Sequence, residues 1–209
     1  MLIDKAGWPF IGVALLLAVI AGLWFGRAWA VPFLILAAFF LFFFRDPDRR
    51  PPADANVLVS PADARVMAVG TFPGKGAPPG EWQWISMFLS PLDVHVNRTP
   101  AAATVTRVEY HPGRFLPAYK QEAGELNEWT EVWFDLPGGP VVVRQIVGIL
   151  ARRIVCRLTV GEKVAAGQRF GVMKFGSRID MFVPRSATIL TKVGDKVVGG
   201  ETVIARLTP

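Results

Sequence analysis

The sequence predicts a mainly β, barrel-sandwich-like soluble domain with minor α content, preceded by an N-terminal α-helical membrane hairpin. Three observations predict it. Two apolar runs open the chain, everything beyond Pro52 reads as short strands broken by Gly and Pro, and one glycine-bounded unit recurs near the C-terminus. With 209 residues in all, an anchor of residues 1–45 leaves 46–209 within the ordinary range of a single domain.

Trp8 to Phe25 is apolar or Gly/Pro, Gly26-Arg27 interrupts it, and Ala28 to Phe44 is apolar again. Each run is about 17 or 18 residues, the short end of what crosses a hydrocarbon core, so the hairpin either spans tightly or re-enters shallowly. Lys5, Arg45, Arg49 and Arg50 flank the pair on one side against Arg27 in the turn. The positive-inside tendency then places the N-terminus and the following domain on the cytoplasmic face of the inner membrane. Trp8, Trp24 and Trp29 fall at interface depths. Ala28-Trp29-Ala30 imitates a signal-peptide cleavage site, but Asp4 and Lys5 leave the preceding region without clear positive charge, and a second apolar span follows. Arg45 to Pro52 ends the helix with prolines and reads as a boundary linker, whose arginines act as topology determinants or touch anionic headgroups. The net charge of +6 favours an acidic partner, and the apolar N-terminus makes that a lipid surface and not nucleic acid. Cys156 is the only cysteine, which excludes an intrachain disulfide and fits a reduced compartment.

Beyond Pro52 the expected strands are Arg65 to Val69, Trp84 to Leu89, Val94 to Asn97, Ala103 to Tyr110, Thr130 to Phe134, Val141 to Ile149 and Arg153 to Leu158, with one short helix in Pro117 to Asn127. Val160-Gly161-Glu162-Lys163-Val164-Ala165-Ala166-Gly167 recurs as Val193-Gly194-Asp195-Lys196-Val197-Val198-Gly199-Gly200. Its glycines suit turns between hydrophobic strands, and two such hairpins packed face to face resemble biotinyl and lipoyl domains.

Between the repeats, two chemistries compete for Val172 to Asp180. Met173-Lys174-Phe175 imitates the Met-Lys-Met hairpin of biotin carriers, which would make Lys174 a modification site. Phe175-Gly176-Ser177 instead suits self-processing, because a glycine leaves its carbonyl open to attack by the neighbouring hydroxyl. A Gly-Ser pair alone decides nothing, since ordinary turns are full of them.

The remaining segments favour the second chemistry. Phe44-Arg45-Asp46-Pro47, Ser60-Pro61-Ala62-Asp63, Leu89-Ser90-Pro91-Leu92-Asp93-Val94-His95-Val96-Asn97-Arg98, Asn127-Glu128, Gln145-Ile146-Val147-Gly148 and Phe175-Gly176-Ser177 follow one another in an order that resembles the phosphatidylserine decarboxylase family, in its short form. The resemblance implies a proenzyme in which Ser177 attacks the Gly176 carbonyl and the chain breaks between them. A 1–176 β chain and a 177–209 α chain would form a heterodimer, open to higher assembly. Residue 177 would become a pyruvoyl group, a built-in pyruvate cofactor that forms a Schiff base with a serine phospholipid and takes up the electrons released as CO2 leaves. The product would be phosphatidylethanolamine, and the partner a membrane phospholipid. A carrier modified at Lys174 explains none of the upstream segments.

The same resemblance implies roles for other residues. Asp63 matches an acid that acts with a histidine on the processing serine, although Ala64 stands where the family commonly has Gly, and an Asp before a strand is by itself most often a turn residue. In a Val94–Asn97 strand, alternation puts Asp93, His95 and Asn97 on one polar face, and an imidazole there exchanges protons near neutral pH. Its plainer reading is a surface histidine on an edge strand. Arg98 occupies the place of a second family histidine, leaving one histidine for two tasks or another base for processing. Its donor fork suits a substrate phosphate or carboxylate. Asn127 and Glu128 match a family pair expected near substrate, and also read as the polar end of a short helix. His111 sits in a Pro-Gly turn and carries no expected role. Two histidines and one cysteine argue against a zinc site, and no phosphate-cradling or dinucleotide glycine signature appears.

Overall fold

The computed structural model describes residues 2–72, 76–149, 154–174 and 176–208. Arg153 of one expected strand and Phe175 of the Phe175-Gly176-Ser177 motif lie outside them. The chain forms two compact units, Met1–Asp48 and Arg49–Pro209.

In the first unit, β1 (Leu2–Ile3) leads into α1 (Trp8–Phe25), which Pro9 opens in its first turn and Gly26 ends at φ 99°. A 3-10 turn, Arg27–Ala30, precedes α2 (Val31–Phe43), and β2 (Arg45–Asp46) pairs antiparallel with β1. This pairing closes the base of the hairpin. Ile11, Ala14, Ala18 and Ala21 form the buried stripe of α1, and its three small alanines let two helix backbones approach. At the base, a β-carbon on Gly7 would fall 2.5 Å from the Phe44 ring. Most other large side chains on both helices are exposed, Leu23 at 78% and Trp24 at 80% among them. Lys5–Phe25 is long and apolar enough to cross a membrane; Arg27–Phe43 is shorter, and its regular helix holds 13 residues instead of the expected span of about 17.

The second unit is mainly β. Its strands are β3 (Val57–Val59), β4 (Ala64–Gly70), β5 (Trp82–Leu89), β6 (Val96–Arg98), β7 (Ala103–His111), β8 (Trp129–Asp135), β9 (Val141–Ile146), β10 (Ile154–Cys156), β11 (Lys163–Val164), β12 (Arg169–Met173), β13 (Ser177–Pro184), β14 (Thr188–Ile189), β15 (Lys196–Val197) and β16 (Val203–Arg206). Eight of them form one antiparallel sheet in the order β11-β7-β8-β9-β13-β5-β4-β15. Two three-stranded sheets, β10-β12-β6 and β14-β16-β3, complete it. The expected helix over 117–127 shrinks to α3 (Ala123–Leu126), and the expected strand from Val141 stops at Ile146.

The sequence repeats take equivalent places at opposite ends of the large sheet. Lys163-Val164 pairs with β7, and Lys196-Val197 pairs with β4. The N–H of Gly167 donates to the Thr99 carbonyl at 3.0 Å, as that of Gly200 does to Ser60 at 2.8 Å. Each repeat thus covers a sheet edge that would otherwise stand unpaired. Ile179, Met181 and Val183 on β13 project into the main core with Ile85, Met87, Val141 and Val143 from the flanking strands.

Candidate active site

Ser177 heads β13, between β9 and β5, and is fully buried. Gly176 precedes it at φ 76°, where an L side chain is strained, and the chain turns there into the strand. The Ser177 hydroxyl has no hydrogen-bond partner among the described residues. A buried hydroxyl left in that state costs roughly 1–3 kcal/mol, and such a group marks a place where packing serves something other than stability. Facing it across the turn is Gly148. A β-carbon built on Gly148 would overlap the Gly176 carbonyl oxygen, so only hydrogen at this position admits the carbonyl where it stands.

Alternation along β9 and β13 sends Gln145 to the same sheet face as Ile179 and Ser177. There the Gln145 amide donates to Asn97 Oδ1 at 2.7 Å, both side chains being fully buried. This bond ties the large sheet to β6 and therefore to His95, which immediately precedes that strand. The His95 Nδ1 lies 2.9 Å from the Asp93 carbonyl, and the His95 carbonyl accepts the Met173 N–H at 3.2 Å. His95 is 1% exposed and outside regular strand, so the expected division into a polar and an apolar face fails: Val94 to Thr99 is buried on both sides. The histidine sits inside the protein, where β12 ends and the short link to Ser177 begins.

Asp63 takes different partners. Its carboxylate accepts two bonds from Arg49 Nη2, at 2.8 and 3.0 Å, and one from the Gly199 N–H at 2.8 Å. With Asp93 and Ser90 it lines a cavity of about 510 Å³ at the end of β5, one residue beyond Leu89, the register partner of Ser177. Arg98 is buried and donates through Nη1 to the Gly167 carbonyl at 3.1 Å, which directs it to the first repeat's turn. Asn127 is also buried, and its side chain is a backbone clasp. It accepts from the Leu116 N–H at 2.8 Å and donates to the carbonyls of Leu116 and Val147 at 2.8 and 2.9 Å. Glu128 receives the Val147 N–H on its own carbonyl at 3.1 Å. Partial desolvation, and then the Glu128 side chain, raise the Tyr110 hydroxyl above its ordinary range. Together Asn127 and Glu128 hold Val147, and through it Gly148, against the Gly176 carbonyl.

The match to known proteins is extensive. A family model described as phosphatidylserine decarboxylase covers residues 36–205. The phosphatidylserine decarboxylase proenzyme of Symbiobacterium thermophilum is 44% identical over 209 residues, 99% of this chain and 96% of the relative. That of Gluconacetobacter diazotrophicus is 47% identical over 193 residues, 88% and 82% of the two chains. That of Nitrosomonas europaea is 40% identical over 205 residues, 98% and 94%. The chain belongs to the phosphatidylserine decarboxylase family.

Several residues of this decarboxylase-family site carried no expected role. Gln145 and Gly148 lie within the family-like segments, and that membership was their only signal; Asn97 was placed by alternation on one face with His95. Arg49, read as linker, is a ligand of Asp63 and also reaches Glu201 at 3.5 Å. Arg178, next to Ser177, makes a bidentate pair with Asp180, both bonds at 2.7 Å and both residues buried. Lys174 is half-buried at the end of β12, and a carrier role for it leaves the family match over 36–205 unexplained.

Proposed function

We propose that this chain is a self-processing carboxy-lyase that converts phosphatidylserine to phosphatidylethanolamine and CO2 at a membrane surface. One observation carries the processing step: a buried Ser177 hydroxyl with no hydrogen-bond partner among the described residues directly follows a glycine at positive φ whose carbonyl is seated against Gly148. The residues fit a serine-derived pyruvoyl group, since no hydrogen bond among the described residues engages that hydroxyl. Ser177 Oγ adds to the Gly176 carbonyl carbon, and the C–N bond gives way to an ester. Loss of the Ser177 α-proton then breaks the Cβ–O bond, leaving Gly176 as a carboxylate, and water replaces nitrogen at residue 177 with release of ammonia. The ketone so formed supplies an electron sink for decarboxylation when a primary amine is bound.

His95, buried at the link between β12 and Ser177, is the group we assign to proton transfer. Asp63 supports processing from the cavity wall that it shares with Asp93. Arg98, Asn127 and Glu128 position backbone around the site. The 1–176 and 177–209 chains stay together because β13 is paired on both sides within the large sheet. In this reading residues 1–45 anchor 46–209, a barrel-sandwich-like catalytic domain, to the cytoplasmic face of the inner membrane. The exposed apolar faces of α1 and α2 support the anchor.

Intact-mass analysis and denaturing electrophoresis test the proposal. Wild type should give two chains divided after Gly176, the smaller carrying a pyruvoyl group at its amino end, and Ser177→Ala should remain whole and inactive. A wild-type chain that stays uncut while releasing CO2 from phosphatidylserine at full rate defeats it.

A further inference from the structure

We propose that Gln145, held in place by Asn97, orients the Ser177 hydroxyl for its attack on the Gly176 carbonyl, an assignment that rests on the self-processing reading above. The register brings the two together. Gln145 is the ladder partner of Ile179, so Ser177, two residues earlier on β13, is its diagonal neighbour on the same face of the sheet. Diagonal neighbours stand about 7–8 Å apart, a distance that an extended glutamine side chain, a hydrogen bond of about 2.8 Å and a serine hydroxyl span together. Around them this face is apolar, with Val143, Ile179, Met181, Met87 and Leu89 in the main core.

The hydrogen bonds point the same way. Gln145 and Asn97 share the one bond from Gln145 Nε2 to Asn97 Oδ1, while Gln145 Oε1 and Asn97 Nδ2 are buried with no partner among the described residues. Asn127 shows how a structural amide behaves in this fold, with its oxygen and nitrogen both used on backbone groups. A buried pair left this unsatisfied costs stability, and two apolar side chains of like size would fill the space without that cost. Gln145 Oε1 is an acceptor lacking a donor, and Ser177 Oγ is a hydroxyl lacking an acceptor among the described residues. The nitrogen end of the Gln145 amide is pinned, since Asn97 Oδ1 accepts from it and a β-carbon on Gly171, the ladder partner of Asn97, would lie 2.8 Å from Gln145 Nε2. That leaves the oxygen as the end that meets the serine. The amide takes no proton: it holds the O–H so that a lone pair of Oγ faces the Gly176 carbonyl carbon. As the C–O bond forms and the C–N bond breaks, the hydroxyl proton leaves through His95 and the Ser177 nitrogen gains one, so the ester forms with no net change in protons.

The test follows conversion of the full-length precursor by denaturing electrophoresis in Gln145→Met, Gln145→Asn, Asn97→Leu and Gln145→Met/Asn97→Leu. Gln145→Met keeps the length and loses the acceptor, and conversion should slow about 10²-fold, the scale of a misdirected reacting group. Asn97→Leu should slow it about tenfold, and the double variant no further than Gln145→Met, because Asn97 acts through Gln145. Hydroxylamine, which cuts any ester accumulated between residues 176 and 177, should release no extra fragment from the variants, since the block precedes the ester. In the uncut Ser177→Ala background the double variant should melt no lower than Ser177→Ala alone, both partners having been replaced by apolar groups. Conversion of Gln145→Met at the wild-type rate overturns the proposal, as does prompt cutting by hydroxylamine, which would move the block to the elimination step. Fully additive losses in the double variant overturn the part given to Asn97, and a melting temperature well below that of Ser177→Ala would make the pair structural. Gln145→Asn, one methylene too short for the span, decides should the apolar variants fail to fold: it should convert at least about tenfold slowly, and the wild-type rate in it defeats the proposal. Failure of the self-processing reading is seen separately, as wild type that remains one uncut chain.

Discussion

Replacing Gly148 with alanine should stop self-cleavage without unfolding the protein. The added β-carbon would overlap the Gly176 carbonyl oxygen and lie 3.3 Å from the Ala118 β-carbon on another side. The first of these obstacles is backbone, so no side-chain rotation relieves it, and either the carbonyl or the 147–149 segment must shift. A displacement of about 1 Å at reacting atoms costs on the order of 10²-fold in rate. Overpacking of one methyl costs about 1–3 kcal/mol in stability, or roughly 3–10 °C in melting temperature for a domain of this size. The two effects separate cleanly when Ser177→Ala and Ser177→Ala/Gly148→Ala, both uncut, are melted side by side, while precursor conversion in Gly148→Ala alone is followed by denaturing electrophoresis. Cleavage of Gly148→Ala at the wild-type rate would refute the claim that Gly148 seats the scissile carbonyl.

Asn127→Ala removes three bonds to the backbone of Leu116 and Val147, the last of them buried, and urea denaturation of the uncut Ser177→Ala form should show a loss of about 3 kcal/mol, accompanied in the cleavable chain by slower processing. Unchanged stability would return Asn127 to a purely substrate-facing role. Glu131→Gln leaves Arg144, its 2.6 Å partner at 2% side-chain exposure, as an uncompensated buried charge; a thermal melt should register about 3–5 kcal/mol, and a loss below 1 kcal/mol would contradict the pairing. Burial, and to a lesser degree the Glu162 charge, push the Cys156 thiol up from its ordinary value of 9.0. The folded protein therefore keeps this proton to higher pH than the unfolded chain. The associated stability is whole below the ordinary thiol range and disappears as pH rises through the raised folded value. Iodoacetamide at pH 8 should accordingly modify Cys156 more slowly than free cysteine, and equal rates would count against the shift.

The strands that show alternation were legible in the sequence. Arg65–Val69, Trp84–Leu89, Ala103–Tyr110 and Thr130–Phe134 all lie within observed strands, and α1 has the expected Trp8–Phe25 limits. The strand that bears the reaction was not. Ser177 to Pro184 is buried almost throughout, and Arg178 and Asp180 neutralise each other inside it, so neither alternation nor an apolar run betrays it. The strand from Val141 was read too long because Val147 continues its apolar pattern, whereas the structure takes Val147-Gly148 out of the ladder to meet Gly176. The helix over 117–127 was read too long because local composition does not reveal that Arg178 packs against Gly124 and Asn127 clasps Leu116.

By itself the sequence determined the division into an apolar hairpin and a β domain, the repeat with its turn glycines, and the Gly176-Ser177 pair with the family segments around it. These are properties of neighbouring residues, carried by periodicity, composition and order. Only the tertiary structure decided that the Ser177 hydroxyl is buried without a partner among the described residues, that Gly148 meets the scissile carbonyl, and that Arg49 rather than a histidine holds Asp63. Each of those joins residues far apart in the chain, and their meeting depends on strand register and on which side chains the core excludes from water, neither of which a local pattern encodes.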